Sequence, residues 1–376
     1  MLLLHTSDWH LGMQRTQTAT YQKDHEYFLA RLCELIDARH VDAVLLSGDV
    51  YDTGVSRAEA VRQFSGAVEA ICADRSLPMI VIAGNHDSGD RLAFAGELLR
   101  RQGLHIRGRL SDGLDPVLLD GGRVAIWPIP YFMREEVRRE DGAPCATTEE
   151  AFAQLTGDMA ARLDPAACNV CMAHTYVTGA PLGESDRAAR VGHSDAVSHE
   201  VFSTFDYTAL GHIHRPYAPA EGVRYCGSPL KFAFDEEGQT KGVVLYDTEA
   251  KKAEFVPLPL LHDRRSVTAS WEELTSPGLR ESLQGAYLNL TVTDRAASRA
   301  LTEDLRALYP DLMVCNGQTA EESAGEGLTR EELRALSDEG LMKRFLAERC
   351  GLTPTDRQTR LFLQALAAVR SGGEDA

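Results

Sequence analysis

The chain has 376 residues, room for two or three domains at roughly 100–200 residues each, and its 44% apolar and 25% charged content is that of an ordinary globular protein. No uninterrupted apolar run approaches the ~18 residues that a membrane span requires, and no basic stretch or cleavage site of a secretory signal precedes Leu2-Leu3-Leu4. A formal charge of −17, from 39 basic and 56 acidic residues, sets long-range electrostatics against unaided binding of any polyanion.

Residues 1 to about 130 alternate strand and helix patterns. Leu2–Thr6, Ala43–Ser47 and residues 79–83 are apolar runs of strand length. Between them Tyr21, His25, Phe28, Leu32, Leu35 and Ile36 recur at helical spacing, as do Val61, Phe64, Val68 and Ile71. This alternation predicts βαβ units and a largely parallel sheet, with ligands bound outside the carboxyl ends of the strands. Further strands are expected at 124–127, 169–173, 207–210, 223–226 and 242–246, and charged stretches at 134–148 and 179–195 read as surface loops. The eight cysteines are scattered, which suits a reducing cytoplasm. Cys168 and Cys171 have CxxC spacing but no second pair, so Cys171 reads as strand packing.

Pro257 and Pro259 mark the end of the first domain. Beyond Arg265 a strand at 287–292, a helix at 297–308 and a short strand at 311–314 make a small α+β unit. An acidic linker at 317–327 leads to a helical tail at 328–369. There Thr329 with Glu332 matches a capping box, and Leu341, Phe345 and Leu346 form an apolar stripe stopped at Gly351. Thr353-Pro354-Thr355-Asp356 supplies an N-cap, a Pro at N1 and an acid in the first turn. A second stripe follows, Phe362, Ala365, Leu366 and Val369, and so short a connection predicts an antiparallel hairpin. The division is therefore 1–262, 263–317 and 318–376.

Five short polar motifs stand at the ends of the apolar runs. They are Asp8-Trp9-His10, Gly48-Asp49-Val50-Tyr51-Asp52, Gly84-Asn85-His86-Asp87, His174 and Gly211-His212-Ile213-His214. Asp8 and His10, two apart at a strand end, leave from one face, and so do His212 and His214. A carboxylate beside an imidazole suits Mn, Fe or Zn better than Ca. Gly48 has no Cβ, which lets backbone and metal approach, and Asp49 is expected to bridge two ions with one oxygen each. Asn85 offers an amide oxygen directly after a strand; if it faces a metal, its neighbour His86 can reach toward substrate. Asp52 either caps the following helix or orients a catalytic His, and Asp87 can satisfy loop N–H groups. Each motif alone is weak. Together they offer two Asp carboxylates, an Asn carbonyl and four imidazoles, enough for two divalent ions.

This set resembles the calcineurin-like metallophosphoesterases over residues 5 to about 230. It is closest to the SbcD nuclease subunits of bacterial SbcCD complexes, in His5-Thr6-Ser7-Asp8-Trp9-His10-Leu11-Gly12, in Gly48 to Asp52 and in Gly227-Ser228-Pro229-Leu230. The resemblance implies an α/β fold: a metallophosphoesterase β-sandwich flanked by helices, a small α+β capping domain and a C-terminal helical hairpin. It implies that Asp8, His10, Asp49 and His214 hold one metal, and that Asp49, Asn85, His174 and His212 hold the other. His86 is then the catalytic acid or charge stabiliser, paired with Asp52. The cofactors are two divalent ions, manganese first and magnesium as the alternative.

The same resemblance implies a DNA substrate and an SbcC-type ATPase partner, a homodimer within a heterotetramer, in the cytoplasm and away from membranes. Leu341, Phe345, Phe362 and Leu366 are the expected docking face for that partner. The acidic charge fits a subunit whose partner clamps the DNA and which needs only local phosphate contacts. Arg15, Arg187, Arg190 and the Arg134, Arg138 and Arg139 group are candidates for those. Two other readings stand beside this one: a phosphodiesterase for small or cyclic nucleotide diesters, and a non-catalytic scaffold. The scaffold is disfavoured because no ligand is missing and His86 is present.

Overall fold

The apolar runs become two stacked sheets in a computed structural model of the chain, which describes residues 1–15, 19–139, 141–184, 196–318, 337–350 and 353–371. Arg187, Arg190, the Thr329 and Glu332 capping box and the stop at Gly351 lie outside the described residues. The strands are β1 (Leu2–Thr6), β2 (Ala43–Ser47), β3 (Met79–Ile82), β4 (Leu104–Arg107), β5 (Val117–Leu119), β6 (Val124–Ile129) and β7 (Cys168–His174). They continue with β8 (Tyr176–Val177), β9 (Ala196–Val197), β10 (Tyr207–Gly211), β11 (Tyr217–Ala220), β12 (Val223–Tyr225), β13 (Gly242–Asp247) and β14 (Lys252–Pro257). One sheet has the order β14-β13-β1-β2-β3-β4 and the other β11-β12-β10-β7-β6-β5, with β8-β9 a small separate pair.

Strands β1 to β4 are mutually parallel, as the strand–helix alternation predicts, and so are β6, β7, β10 and β12. β13 departs from the expected second series: it returns to the first sheet, antiparallel to β1, with Leu4 opposite Leu245. Its alternation fits that place, Val244 and Tyr246 lying between the sheets and Val243 and Leu245 in the outer layer.

Alternate residues of each strand serve different layers, as a period of two requires. Leu3, Leu45, Ile80, Ile82, Val170, Met172 and Tyr207 fill the space between the sheets. Leu4, Val44, Leu46 and Val81 pack under helices α1 (Gln22–Arg39) and α2 (Ala58–Val68). Cys171, Ala173 and Leu210 pack with α3 (Thr148–Ala160) on the opposite outer face. Cys168 and Cys171 therefore sit in different layers, and their CxxC spacing makes no shared chelate.

The α1 stripe is as expected, with His25, Phe28, Leu32 and Ile36 buried. On α2 the buried face is Ala60, Phe64 and Ala67, whereas Val61 is 48% exposed. Phe64 and Ile71 are buried and Val68 is packed against the core, as expected. The start of the helix, however, is turned so that Ala60 takes the place of Val61, because it crosses close to Gly12, where a Cβ would meet Ala60 at 3.0 Å. Only a small side chain fits that crossing.

A third sheet, β15 (Asp263–Ala269), β16 (Ala286–Val292) and β17 (Leu312–Gly317), is parallel throughout. Two short helices, Trp271–Thr275 and Pro277–Ser282, cross from β15 to β16, and α4 (Arg299–Leu308) crosses from β16 to β17. Such crossovers are what parallel pairing needs. They bury a core of their own around Leu274, Leu288, Leu290, Leu301 and Leu305. The contacts divide the chain into Met1–Gly317 and Gln318–Ala376. In the second unit α5 (Asp338–Cys350) touches α6 (Asp356–Ser371). The cap of α6 is Thr355 rather than Thr353: Gln358 N–H donates to Thr355 Oγ1 at 3.4 Å, and Gln358 Oε1 accepts from Thr355 N at 2.9 Å. Leu341, Phe345 and Phe362 are exposed and Leu366 is half-buried. Among the described residues no helix is long and apolar enough to cross a membrane.

The rotation of α2 yields a paired expectation. Ala60→Leu overfills the crossing and should destabilise the protein by about 1–3 kcal/mol, whereas Val61→Ala should stay within about 0.5 kcal/mol of the parent. Urea unfolding midpoints of the two variants read this directly; equal losses would contradict the rotation.

Candidate metal centre

The carboxyl ends of the parallel strands in both sheets meet, and each motif is the loop leaving one of them. β1 leads to Asp8 and His10, β2 to Asp49 and Asp52, and β3 to Asn85 and His86; β7 ends in His174, and β10 leads to His212 and His214. Asp8, His10, Asp49, His174 and His214 are buried, while Asn85, His86 and His212 are half-buried.

The backbone is strained at this place. Among the described residues nine non-glycine positions have positive φ, and four of them are expected ligands: Asp8 (53°), His10 (46°), Asp49 (49°) and His212 (102°). Each costs on the order of 1–3 kcal/mol and persists only where its surroundings hold it. They do so here. Asp8 N and His10 N donate to Gly48 O and Asp49 O, each at 3.0 Å, and His212 N donates to Asp8 Oδ1 at 2.9 Å. Gly48 has φ 89°, and a Cβ there would run into the His174 ring. At Gly84 a Cβ would strike Asp49.

The donors form two lobes about Asp49. In one, His10 Nε2 lies 3.1 Å from His214 Nε2 and 3.6 Å from Asp49 Oδ2. In the other, Asn85 Oδ1 lies 3.0 Å from His174 Nε2 and 3.1 Å from His212 Nδ1, with Asp49 Oδ2 3.4 Å from His174 Nε2. Asp8 completes a compact group with His10 and His214, and another with Asp49 and His174. Two ligands about 2.1 Å from one ion at right angles stand roughly 3.0 Å apart, and the His10–His214 spacing matches the edge of such a coordination polyhedron. Carboxylates, an amide oxygen and imidazoles are together a donor set for divalent cations. The residues present fit a metal pair.

The charges in the group shift one another. Burial pushes the Asp8 carboxyl up to about 6, against the pull of His174 and His214. Burial acts the same way on Asp49, but His174, His10 and His86 prevail and hold it below the usual carboxylate range. Burial opposes a charge on His174, yet Asp49 and Asp8 outweigh it and raise that imidazole to about 9. Burial keeps His10 well below its ordinary value and lowers His212 to about 3.

His86 sits on the less buried side, its ring 4.8 Å from that of His10. Its partner is Asp52, though through the backbone: His86 Nδ1 donates to the Asp52 carbonyl at 2.8 Å. The Asp52 carboxylate lies 3.8 Å from His10 Nδ1. The hydrogen bond to His86 is thus one that any residue at position 52 can make, while the Asp52 carboxylate itself acts on His86 through its charge. Asp87 accepts from Val50 N, Tyr51 N and Gly84 N at 3.1, 2.9 and 2.9 Å, the loop-satisfying role foreseen for it.

Several neighbours of the centre were given no role by the sequence. Ser7 Oγ donates to Asp8, Phe232 sets its ring edge-on to His10 and His214, and the buried Glu236 and Lys241 lie behind His214. Arg15, a candidate for phosphate, instead pairs with Asp311 at 3.0 Å and lies over the Tyr287 ring, fastening the third sheet. Arg134 pairs with Glu135, and Arg139 with Asp141 and Glu150, at the surface; Arg138 is exposed.

The family described as calcineurin-like phosphoesterase matches residues 1–216, and the one described as type 5 capsule protein repressor C-terminal domain matches residues 261–349. A curated relative from Staphylococcus saprophyticus, named as the SbcD subunit of the SbcCD nuclease, is 25% identical over 377 residues, 99% of this chain and 100% of that protein. The protein of the same name from Staphylococcus epidermidis is 25% identical over 350 residues, 92% of each chain. A solved structure from Thermus thermophilus is 16% identical, with a TM-score of 0.41 over 68% of this chain and 98% of its own. The match over residues 1–216 takes in more than half of the 376 residues and all seven donors, and the chain belongs to the calcineurin-like phosphoesterases.

Proposed function

We propose that this chain is the nuclease subunit of an SbcCD-type complex, a two-metal phosphodiesterase acting on DNA as a duplex exonuclease and as an endonuclease on single strands and hairpins. Two donor lobes sharing Asp49, in a chain aligned over 99% of its length with a relative named as the SbcD subunit of that nuclease, support this most directly. Manganese is the preferred ion, with magnesium the alternative. Asp8, His10, Asp49 and His214 hold one ion, and Asp49, Asn85, His174 and His212 the other.

When bound, the metal pair supplies Lewis acidity that activates water and offsets charge on the phosphoryl oxygens during in-line displacement. The protein supplies position and a proton. A carbonyl only accepts, so His86 Nδ1 carries hydrogen toward Asp52 O. The proton available for transfer is then the one on Nε2 of the imidazolium, and it passes to the departing sugar oxygen, a contribution of typically ~10²–10⁴-fold.

Residues 263–317 act as the capping domain, and Leu341, Phe345, Phe362 and Leu366 dock an SbcC-type ATPase in a heterotetramer built on a homodimer in the cytoplasm. With −17 charges and several arginines engaged in ion pairs, the chain is suited to DNA delivered by a partner. Labelled duplex and hairpin DNA, digested with Mn2+ in the presence and absence of that ATPase, tests the proposal. Cleavage of both, with duplex digestion stimulated by ATP, is expected. Hydrolysis of a chromogenic diester with no cleavage of any DNA would assign the protein to small diesters instead.

Asp49 stands in both lobes, so Asp49→Ala should abolish cleavage and bring bound metal well below two per chain by elemental analysis. Full occupancy in that variant contradicts a bridging role.

His86→Ala should keep both metals and lose at least ~10²-fold in cleavage, as for a missing general acid. Asp52→Asn leaves the carbonyl contact in place and should fall much less far. Release of metal by His86→Ala would make that residue a ligand and not the proton donor.

A further inference from the structure

Behind His214 lies a charged pair that the chemistry above does not use. Lys241 and Glu236 are 2% and 0% exposed, and Lys241 Nζ stands 2.6 Å from Glu236 Oε2. The ammonium also donates to the His214 carbonyl at 2.7 Å, to Ser228 Oγ at 3.0 Å and to Gln239 Oε1 at 3.0 Å. The other carboxylate oxygen, Glu236 Oε1, accepts from Ala233 N at 3.2 Å and faces His214 Nδ1 at 3.8 Å. One ion pair thus reaches both the backbone and the ring of residue 214.

A buried ion pair is a poor way to stabilise a fold, since desolvating two charges offsets most of their attraction and apolar replacements are often no worse. A histidine that binds metal through Nε2 must carry its hydrogen on Nδ1. A carboxylate on the Nδ1 side selects that tautomer, fixes the ring plane and makes Nε2 a better donor. His214 offers Nε2 toward His10 and turns Nδ1 to Glu236. The other imidazoles are backed differently: His174 Nδ1 by the Ser47 carbonyl at 2.9 Å, and His86 Nδ1 by the Asp52 carbonyl. His10 Nδ1 has the Asp52 carboxylate at 3.8 Å, but that group is 24% exposed and screened by solvent, against 1% for Glu236.

We propose that Glu236 is the positioning residue for His214 as a metal ligand, and that Lys241 holds Glu236 in place as its counter-ion. This role presupposes the metal centre proposed above. It assigns Glu236 and Lys241 to one of the two ions only, the one shared by Asp8, His10, Asp49 and His214.

Titration of the full-length protein with Mn2+ alone, by calorimetry and by the electron paramagnetic resonance signal of a coupled manganese pair, tests it. The wild type should take up two ions. Glu236→Gln, of the same shape without the charge, should weaken one binding step by about 10–100-fold and leave the other within about twofold, so that the coupled-pair signal appears only at higher Mn2+. Native affinity at both steps, or an equal loss at both, overturns the positioning role. Should Glu236→Gln fail to fold, the charge-balanced Glu236→Gln, Lys241→Met double variant decides by the same criterion. A wild type that binds fewer than two ions would instead overturn the metal centre itself.

Discussion

Asp49 stands at the seam between the two sheets, and both halves of the centre are arranged about its carboxylate. One oxygen accepts the His86 backbone N–H at 2.9 Å, and the other lies 3.4 Å from His174 Nε2 and 3.6 Å from His10 Nε2. Those partners follow β3, β7 and β1, so they come from both sheets. A single oxygen thus faces both imidazoles, where the sequence suggested one oxygen for each lobe, and the meeting exists only if the sheets stack in this register. The left-handed φ of Asp49 and the bare Gly84 beside it are what allow the approach. An isolated buried carboxylate is strongly disfavoured; the surrounding imidazoles and N–H groups make this one tolerable.

The loop after β12 joins that seam to the third sheet. Its Phe232 packs edge-on against His10 and His214, at ring separations of 5.4 and 5.6 Å. Lys231 Nζ reaches Asp263 at 2.6 Å, Arg264 Nε donates to Lys231 O at 2.7 Å, and Glu237 accepts from Ser266 N at 2.9 Å. On the other side of the joint Tyr287 donates to Asp24 at 2.6 Å, and Arg15 pairs with Asp311. Arg15, Lys231, Lys241 and Arg264 are all engaged within the protein in this region. In so acidic a chain, cations held internally are withdrawn from any polyanion outside.

Much of this was legible from short stretches of sequence. The motif residues and their order, the parallel strands β1 to β3, the α1 stripe and the two tail helices follow from periods of two and 3.6 and from side-chain chemistry. β15 was not legible, because Asp-Arg-Arg-Ser-Val-Thr-Ala has no apolar alternation and buries fully only Arg264. Nor was the turn of α2, where Val61 outranks Ala60 in hydrophobicity but a close crossing at Gly12 demands the smaller residue inside.

The sequence by itself determined which donors exist and that they cluster at strand ends, since each motif is encoded within a few residues. Tertiary structure alone decided their pairing. His10 meets His214 across 204 positions because two sheets stack face to face with the carboxyl ends of their parallel strands together, and β13 returns to β1 because its alternation fits both layers there. The same holds for Asp52, which supports His86 with its carbonyl, and for Glu236 and Lys241, whose burial behind His214 no local pattern announces. Periodicity and donor chemistry are local properties; which atom of which residue faces which neighbour depends on how distant segments pack.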